Sequence, residues 1–540
     1  MPPTHEVVNQ PPPLAGFDRY GADSVLVEAV ERNGAGWAGA ELHELGRLAG
    51  SSEWIERGRL ANEYPPVLRT HDRYGHRVDL VEHHPAYHEL MGVAVGAGLH
   101  AHPWSDDRPG AHVARAAKIM LWYQVEPGHI CPISMTYSVV PALRAEPAEA
   151  RRWEPLLASA VYDPAQVPAA DKAGITCGMA MTEKQGGSDV RANSTRAEAD
   201  ADGHRLTGHK WFCSAPMSDL FLTLAQASEG LTCFLVPRRL PDGEVNGIRI
   251  QRLKDKLGDR ANASSEIEFD SAFAVRIGEP GRGVATIIEM VNHTRLDCLL
   301  GSAALCRQGT AEALHHAAHR NTFGRRLVEH PLMANVLADL AVESEAATAL
   351  ALRVARSHDP AQVDEHELAL RRVLTPVAKY WTCKRAPAHA AEALECLGGN
   401  GYAEESHLPR LFRQSPLNGI WEGSGNVICL DVLRAVARSP ESVDAVMVEL
   451  DAAAGADVRL DAAVNRLRLE LGSDPAELET QARRFVEQLA VCFQASLLVR
   501  FAPSAVADAY CASRLDGAGV FGTLPRGVDT APIIERHMPA

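Results

Sequence analysis

The chain of 540 residues has little lysine, no paired cysteine motif, no internal repeat and no long apolar run, and each shortage closes a class of function. Only eight of its 54 basic residues are lysines, and acidic side chains outnumber basic ones to leave a net charge of −15. A protein coating phosphate backbones needs a concentrated positive field, so only a local basic groove stays open. The 11 cysteines are odd in number, irregularly spaced and include no CxxC pair. That excludes a disulfide framework or a zinc module and predicts reduced thiols in a cytoplasmic protein. The most apolar stretch, LMGVAVGAGL at 90–99, is about half the span a bilayer demands, so it predicts a buried helix and no membrane partner. No secretory signal is read at the polar, proline-rich start. His315, His316 and His319 share a helix, the first and last four apart on one face, but without a glutamate between them in the zinc-peptidase position, and His83, His84 and His88 form a second such group. They read as helix surface, and no metal is expected.

What is present changes period along the chain. Residues 1–40 form an extended arm, with Pro11, Pro12 and Pro13, and the start of a helical region; 41–173 predict an N-terminal helical domain, in which AHVARAAKIMLWYQVE repeats its apolar residues at helical spacing. From 174 to 289 short β-branched segments joined by turns such as Asp202-Gly203 and Glu229-Gly230 predict a compact antiparallel β domain. Three long alanine-rich helices within 290–438 predict a bundle. Residues 439–540 predict a further helical extension, where Asp474, Pro475 and Glu477 have the order of a helix cap and capping box.

Three strings carry chemistry. GMAMTEKQGGSDV at 178–190 is a strand ending in a glycine turn whose backbone N–H groups suit a phosphate or a flat polar ring; a plain hairpin loop is the competing reading. TGHKWFCSAP at 207–216 sets Trp211 and Phe212 beside Ser214, an aromatic wall next to a hydroxyl, although aromatics in strands are more often core. IWEGSGN at 420–426 places Glu422 on a short glycine-bearing turn between apolar neighbours, where a carboxylate can serve as a proton acceptor.

Taken in order with HRNTFGRRL at 319–327 and LGGNGYAEE at 397–405, these strings resemble the signature of the acyl-CoA dehydrogenase family over residues 90–437. The NQPPPL arm, CPISMTYS at 131–138, EKQGGSDV, LKDKLGDRANASSE and the helical tail resemble the bacterial alkylation-response flavoproteins within it. The fold implied is α+β and multidomain: an N-terminal helical domain, a middle antiparallel β domain and a C-terminal helical bundle, here with an extra C-terminal helical domain. The cofactor implied is FAD. Met181, Thr182, Gly187 and Ser188 match the loop at the flavin and its pyrophosphate, and Phe212 and Ser214 match the stacking aromatic and the hydroxyl at the flavin's reactive edge. Arg320, Phe323, Gly398 and Gly399 match segments that reach FAD in a neighbouring subunit, so a homotetramer is implied. Ser424 and Asn426 match the loop that closes over the cofactor. Glu422 matches the base that takes the α-proton of an acyl-CoA thioester while a β-hydride passes to the flavin.

The chain departs from the family where Lys184 and Gln185 replace a proline and its neighbour, where Trp421 replaces a tyrosine, and where Phe212 replaces a tryptophan. The larger ring beside Glu422 takes up room that an acyl chain would use. The activity implied is a weak dehydrogenase of isovaleryl-CoA type in a protein of the adaptive response to DNA alkylation, binding double-stranded DNA. The alternative is a competent dehydrogenase of a short or branched acyl-CoA with no DNA role. Within the tail, fifteen acidic residues face nine arginines. Arg466, Arg468, Arg483 and Arg484 are the candidate DNA contacts, against a tail that merely packs on the bundle.

Overall fold

The computed structural model describes residues 4–472, 475–517 and 519–539. The predicted cap at Asp474, with its Pro475–Glu477 side chains, lies outside what is described. The chain divides into two compact units, and the division interleaves: one holds residues to Ser52, Arg108–Gln124 and Cys298 onward, the other Glu53–Asp107 and Val125–Asp297.

The helices of the second unit are α3 (Ser52–Glu63), α4 (Pro85–Gly96), α6 (Ile130–Leu143) and α7 (Pro147–Leu157). A hairpin of β1 (Val67–His71) and β2 (Arg77–Glu82) interrupts what its sequence predicted to be wholly helical. Asp79, held at φ 43°, makes this hairpin dock: its carboxylate accepts from the backbone N–H of Ile250 at 3.0 Å and from Arg77 at 3.0 Å. The remaining strands are β3 (Cys177–Ala180), β4 (Arg196–Asp200), β5 (Gly203–Ser214), β6 (Leu220–Ala227), β7 (Gly230–Pro237), β8 (Ile248–Leu253) and β9 (Ser264–Ile277). They form one seven-stranded sheet in the order β3-β6-β4-β5-β9-β7, with β8 on β9 and a further β6–β7 pairing that brings the ladder back on itself. The sheet is antiparallel except that β3 and β4 run parallel to β6. Leu206, Phe221, Phe234, Val236, Ile250, Ile267 and Phe269 alternate inward and fill its core. The Thr136 hydroxyl of α6 accepts from the Cys177 N–H at 3.1 Å, which ties that helix to β3.

The first unit is helical: α1 (Ser24–Arg32), α2 (Gly39–Gly50) and α5 (Ala111–Tyr123), then α9 (Pro331–Arg356), α10 (Glu365–Cys396), α11 (Gly399–Tyr402), α12 (Leu408–Gln414) and α13 (Gly425–Arg438). Helix α8 (Gly283–His319) runs 37 residues, the first of them in the other unit. Every residue of α5 is buried, Arg115 and Lys118 included, the latter through an ion pair with Glu41. The tail is not a separate body. Helices α14 (Pro440–Asp451), α16 (Pro475–Phe501), α17 (Ser504–Arg514) and α18 (Ala531–His537) pack on α9, α10 and α13 within the same unit, and α15 (Val458–Leu471) packs on α16 and α17. The arm also lies on its own chain rather than reaching away from it. Asn9 exchanges hydrogen bonds with the Asn321 backbone at 2.7 and 2.8 Å, and the Pro12 carbonyl faces His315 at 2.8 Å. All eleven cysteines are free and buried. Among the described residues no helix is long and apolar enough to cross a membrane.

Candidate active site

In the β unit the glycine loop is built around a buried ion pair. Glu183 and Lys210, both essentially without exposure, meet at 2.9 Å. Burial would push the Glu183 carboxyl up, but hydrogen bonds from Thr195, Lys210 and Ser194 hold it well below the usual carboxylate range. Lys210 also donates to the Leu224 carbonyl at 2.8 Å, and the Trp211 N–H donates to the Thr182 carbonyl at 2.8 Å. The loop after β3 is thereby fixed to β5. Gly187 packs on Thr182 so closely that a Cβ there would come within 2.4 Å of its hydroxyl oxygen, which is a steric reason for glycine.

This anchoring brings Met181, Thr182, Gly187, Phe212 and Ser214 together. Met181 and Thr182 leave the end of β3 half-buried, and Ser188 is exposed. Phe212 stands 51% exposed on β5, a large ring open on one side, with the Lys254 ammonium 4.5 Å from its centroid. Ser214 ends β5 half-buried. An uncovered aromatic beside a hydroxyl and a glycine turn suits a planar ring system and a pyrophosphate, the two parts of FAD. The Ser214 hydroxyl lies 3.4 Å from that of Ser264 on β9, its direct cross-strand partner. Ser264 in turn accepts from the Lys256 ammonium at 2.9 Å.

In the helical unit Glu422 sits half-buried at φ 57°, a left-handed backbone that costs a side-chain-bearing residue about 1 kcal/mol. Lys379 of α10 holds it there: its buried ammonium donates to the carbonyls of Trp421 at 2.9 Å and Gly423 at 2.7 Å, one on each side of Glu422. The Trp421 indole N–H donates to Asn418 at 2.9 Å, and Asn418 donates to Tyr123 and Ser302, each at 3.2 Å. The turn is therefore held by α5, α8 and α10 together. Ser424, exposed, is the N-cap residue of α13. Asn426 is also exposed, and its side-chain oxygen accepts from Arg483 at 2.8 Å.

The arm joins the remaining predicted residues. Arg320 donates to the Asn9 carbonyl at 2.6 Å, and Asn400, next to Gly398 and Gly399, donates to Gln10 at 3.3 Å. Phe323 lies at φ 49° on the turn between the short antiparallel segments Asn321–Thr322 and Arg325–Arg326, 98% exposed, and Gly398 and Gly399 are exposed with nothing near enough to meet a Cβ. Of the tail arginines, Arg466 bonds the Leu515 carbonyl at 3.1 Å and Asp516 at 3.3 Å, Arg468 pairs with Asp451, and Arg483 is engaged by Asn426. Arg466 and Arg484 share a cavity of about 360 Å³ that also contains Glu487 and Asp516.

Sequence reasoning passed over Lys379, Lys210, Lys256 and Asn418. The signal was the scarcity of lysine. Four of the eight lysines, Lys118, Lys172, Lys210 and Lys379, are buried.

Comparison with known proteins agrees with this architecture. Residues 9–164 match the model of the adaptive response protein AidB N-terminal domain, 178–272 that of the acyl-CoA dehydrogenase middle domain and 281–437 that of its C-terminal domain. The chain is 46% identical over 519 residues to the putative acyl-CoA dehydrogenase AidB of Escherichia coli (strain K12), covering 96% of this chain and 95% of that protein. A crystal structure of Caenorhabditis elegans ACDH-11 in complex with C11-CoA superimposes with a TM-score of 0.85 at 29% identity, covering 94% of this chain and 93% of that one. An acyl-CoA dehydrogenase from Bacillus anthracis complexed with FAD shares the fold, with a TM-score of 0.66 at 16% identity over 84% of this chain and 86% of that one.

Proposed function

The chain belongs to the acyl-CoA dehydrogenase family, and from that premise we propose that it is an FAD-dependent oxidoreductase acting on a short or branched acyl-CoA thioester, with Glu422 as base. The observation that carries the reading is the Glu422 turn: a carboxylate in a left-handed conformation, clamped on both sides by one buried ammonium. Such strain persists only where the surroundings over-determine it, and it collects at functional sites. Met181, Thr182, Gly187 and Ser188 would hold the cofactor's polar part, Phe212 would offer its ring to the flavin, and Ser214 would supply a hydroxyl to it. FAD supplies the hydride acceptor. Glu422 takes the proton from the α-carbon as the β-carbon gives up its hydride, leaving a 2-enoyl thioester and a protonated carboxyl. Trp421, anchored to Asn418 beside the base, restricts the acyl chain to a short one.

Anaerobic mixing with isovaleryl-CoA and other short acyl-CoAs is expected to bleach the flavin absorbance, and Glu422→Gln to abolish the bleaching while FAD stays bound. An unchanged spectrum across an acyl-CoA panel refutes the dehydrogenase. Phe323, Tyr402 and Ile420 are large apolar side chains exposed by 98%, 82% and 64%, which favours a homotetramer in which Arg320, Phe323, Gly398 and Gly399 meet a neighbour's FAD. Light scattering giving a monomeric mass refutes that assembly.

A second reading, a role in the response to DNA alkylation with double-stranded DNA as partner, is supported by the AidB-type N-terminal domain. Three of the four candidate arginines are engaged within the chain, which leaves few charges for phosphates. Because the tail packs into the bundle, charge reversal at Arg466 and Arg484 in the full chain is a sounder test than removing it. Duplex affinity should fall steeply with salt and fall again in the variants; no binding at low salt rules out the role.

A further inference from the structure

The string LKDKLGDRANASSE gains a purpose from what it places behind Ser214. Lys256, whose side chain is 18% exposed, donates to the Asn262 carbonyl at 2.7 Å and to the Ser264 hydroxyl at 2.9 Å, and pairs with Asp259 at 3.4 Å. Asp259 is buried, held at φ 55°, and also accepts from the Asn262 amide at 2.8 Å. An ammonium has no acceptor, so one lone pair of the Ser264 oxygen accepts from Lys256, and the Ser214 oxygen, 3.4 Å away, is the acceptor within reach of the buried Ser264 proton. With that proton directed at it, the Ser214 oxygen accepts and its own proton is left for a further acceptor. Cys131, at the start of α6, stands within hydrogen-bonding reach of Ser214 and Asn262. Its buried thiol is a weak partner, so it does not compete with a strong acceptor at the ring edge.

We propose that Lys256 and Ser264 are positioning residues that fix Ser214 as a hydrogen-bond donor toward bound FAD, and that the Lys256–Asp259 pair sets the electrostatic bias on the flavin's reduction. The proposal rests on FAD lying against Ser214, as argued above. Its charges act in opposite senses. Removing Lys256 takes a positive charge from beside the ring and disfavours added electrons; removing the Asp259 charge takes away a negative one and favours them.

The test is the midpoint potential of bound FAD in the full-length protein, after measuring FAD content. Lys256→Met is expected to shift the oxidised-to-reduced ratio about tenfold toward oxidised flavin, about 30 mV more negative for a two-electron couple. Asp259→Asn is expected to move it in the opposite direction, and Lys256→Arg to restore most of the wild-type value. Ser264→Ala keeps both charges but breaks the chain to Ser214, and is expected to shift the flavin absorption bands. Shifts of the same sign in Lys256→Met and Asp259→Asn, or unchanged potentials with FAD retained, overturn the proposal. So does loss of FAD from both variants, which would make the pair merely structural. Wild-type protein that takes up no FAD would instead refute the flavin reading on which the proposal stands.

Discussion

At the scale of single residues, the site depends on two buried ammonium groups, Lys210 and Lys379, each of which satisfies two oxygens at once. Lysine presents a compact charge on a flexible stem, whereas arginine brings a planar fork. In a chain so rich in arginine, a buried lysine marks a position where one point charge must satisfy several oxygens. Lys379 does this for the carbonyls of Trp421 and Gly423. Replacing it by Met leaves two carbonyls at a half-buried turn without their donor, at about 1–2 kcal/mol each. Lys379→Met is therefore expected to lose about 2–4 kcal/mol in urea unfolding and to impair flavin reduction by acyl-CoA more than it impairs FAD binding. The glycine-bearing turn that carries Glu422 was legible in IWEGSGN, because an acidic residue beside a glycine turn stands out locally. Its clamp was not legible, since Lys379 lies 43 positions earlier on another helix and only tertiary packing brings the two together. The same holds for Glu183 with Lys210 and for Ser214 with Ser264.

At the scale of elements, the long helices and the β meander could be read from periodicity because each carries enough residues to show its period. The hairpin β1–β2 could not, because its strands are short and only partly covered, with Asp79 rather than an apolar run securing it. The tail packs on the bundle, one of the two readings its sequence left open: Arg514 of α17 is buried and bonds Asp339 and Glu343 of α9, while Arg536 and His537 of α18 meet Glu345. The Asp339 carboxylate also accepts from the Gly522 N–H at 2.8 Å, which draws the segment after α17 onto the same helix. Arg514→Met leaves two buried carboxylates short of a partner, a loss of about 3–5 kcal/mol by the usual cost of breaking a buried pair. The expected outcome is a lower melting temperature and faster protease cleavage between α17 and α18. Unchanged cleavage would show that the tail is held by its apolar face alone.

At the scale of the whole molecule, the order of helical region, β domain and bundle was legible, but not the way Arg108–Gln124 returns to the bundle, since nothing local in α5 says which core will bury it. Whole-molecule stability should also report how many ionisable groups the folded chain keeps neutral. His389 is fully buried, sharing its Nε2 with the Leu340 carbonyl at 3.1 Å and the Thr310 hydroxyl at 3.2 Å, while its Nδ1 has no partner. Burial lowers its pKa to about 4, with the Leu340 carbonyl opposing. His316, lowered to about 4 by burial and then by Arg320, behaves alike. Because the folded pKa lies below the unfolded value near 6.5, the unfolded chain binds more protons between them. This contribution is complete above about pH 6.5 and is lost as pH falls toward 4, by about 3 kcal/mol for His389. Glu343, lowered to about 2 because Arg385 and Arg514 outweigh its burial, adds a loss of the same sign at lower pH. Glu312, raised to about 7 by burial, has the opposite sign: its contribution is lost as pH rises from about 4.5 through 7. The two signs separate experimentally. His389→Gln should flatten the fall of the urea midpoint between pH 6.5 and 4, and Glu312→Gln should steepen it. If His389→Gln leaves the slope unchanged, His389 is not held neutral in the folded chain.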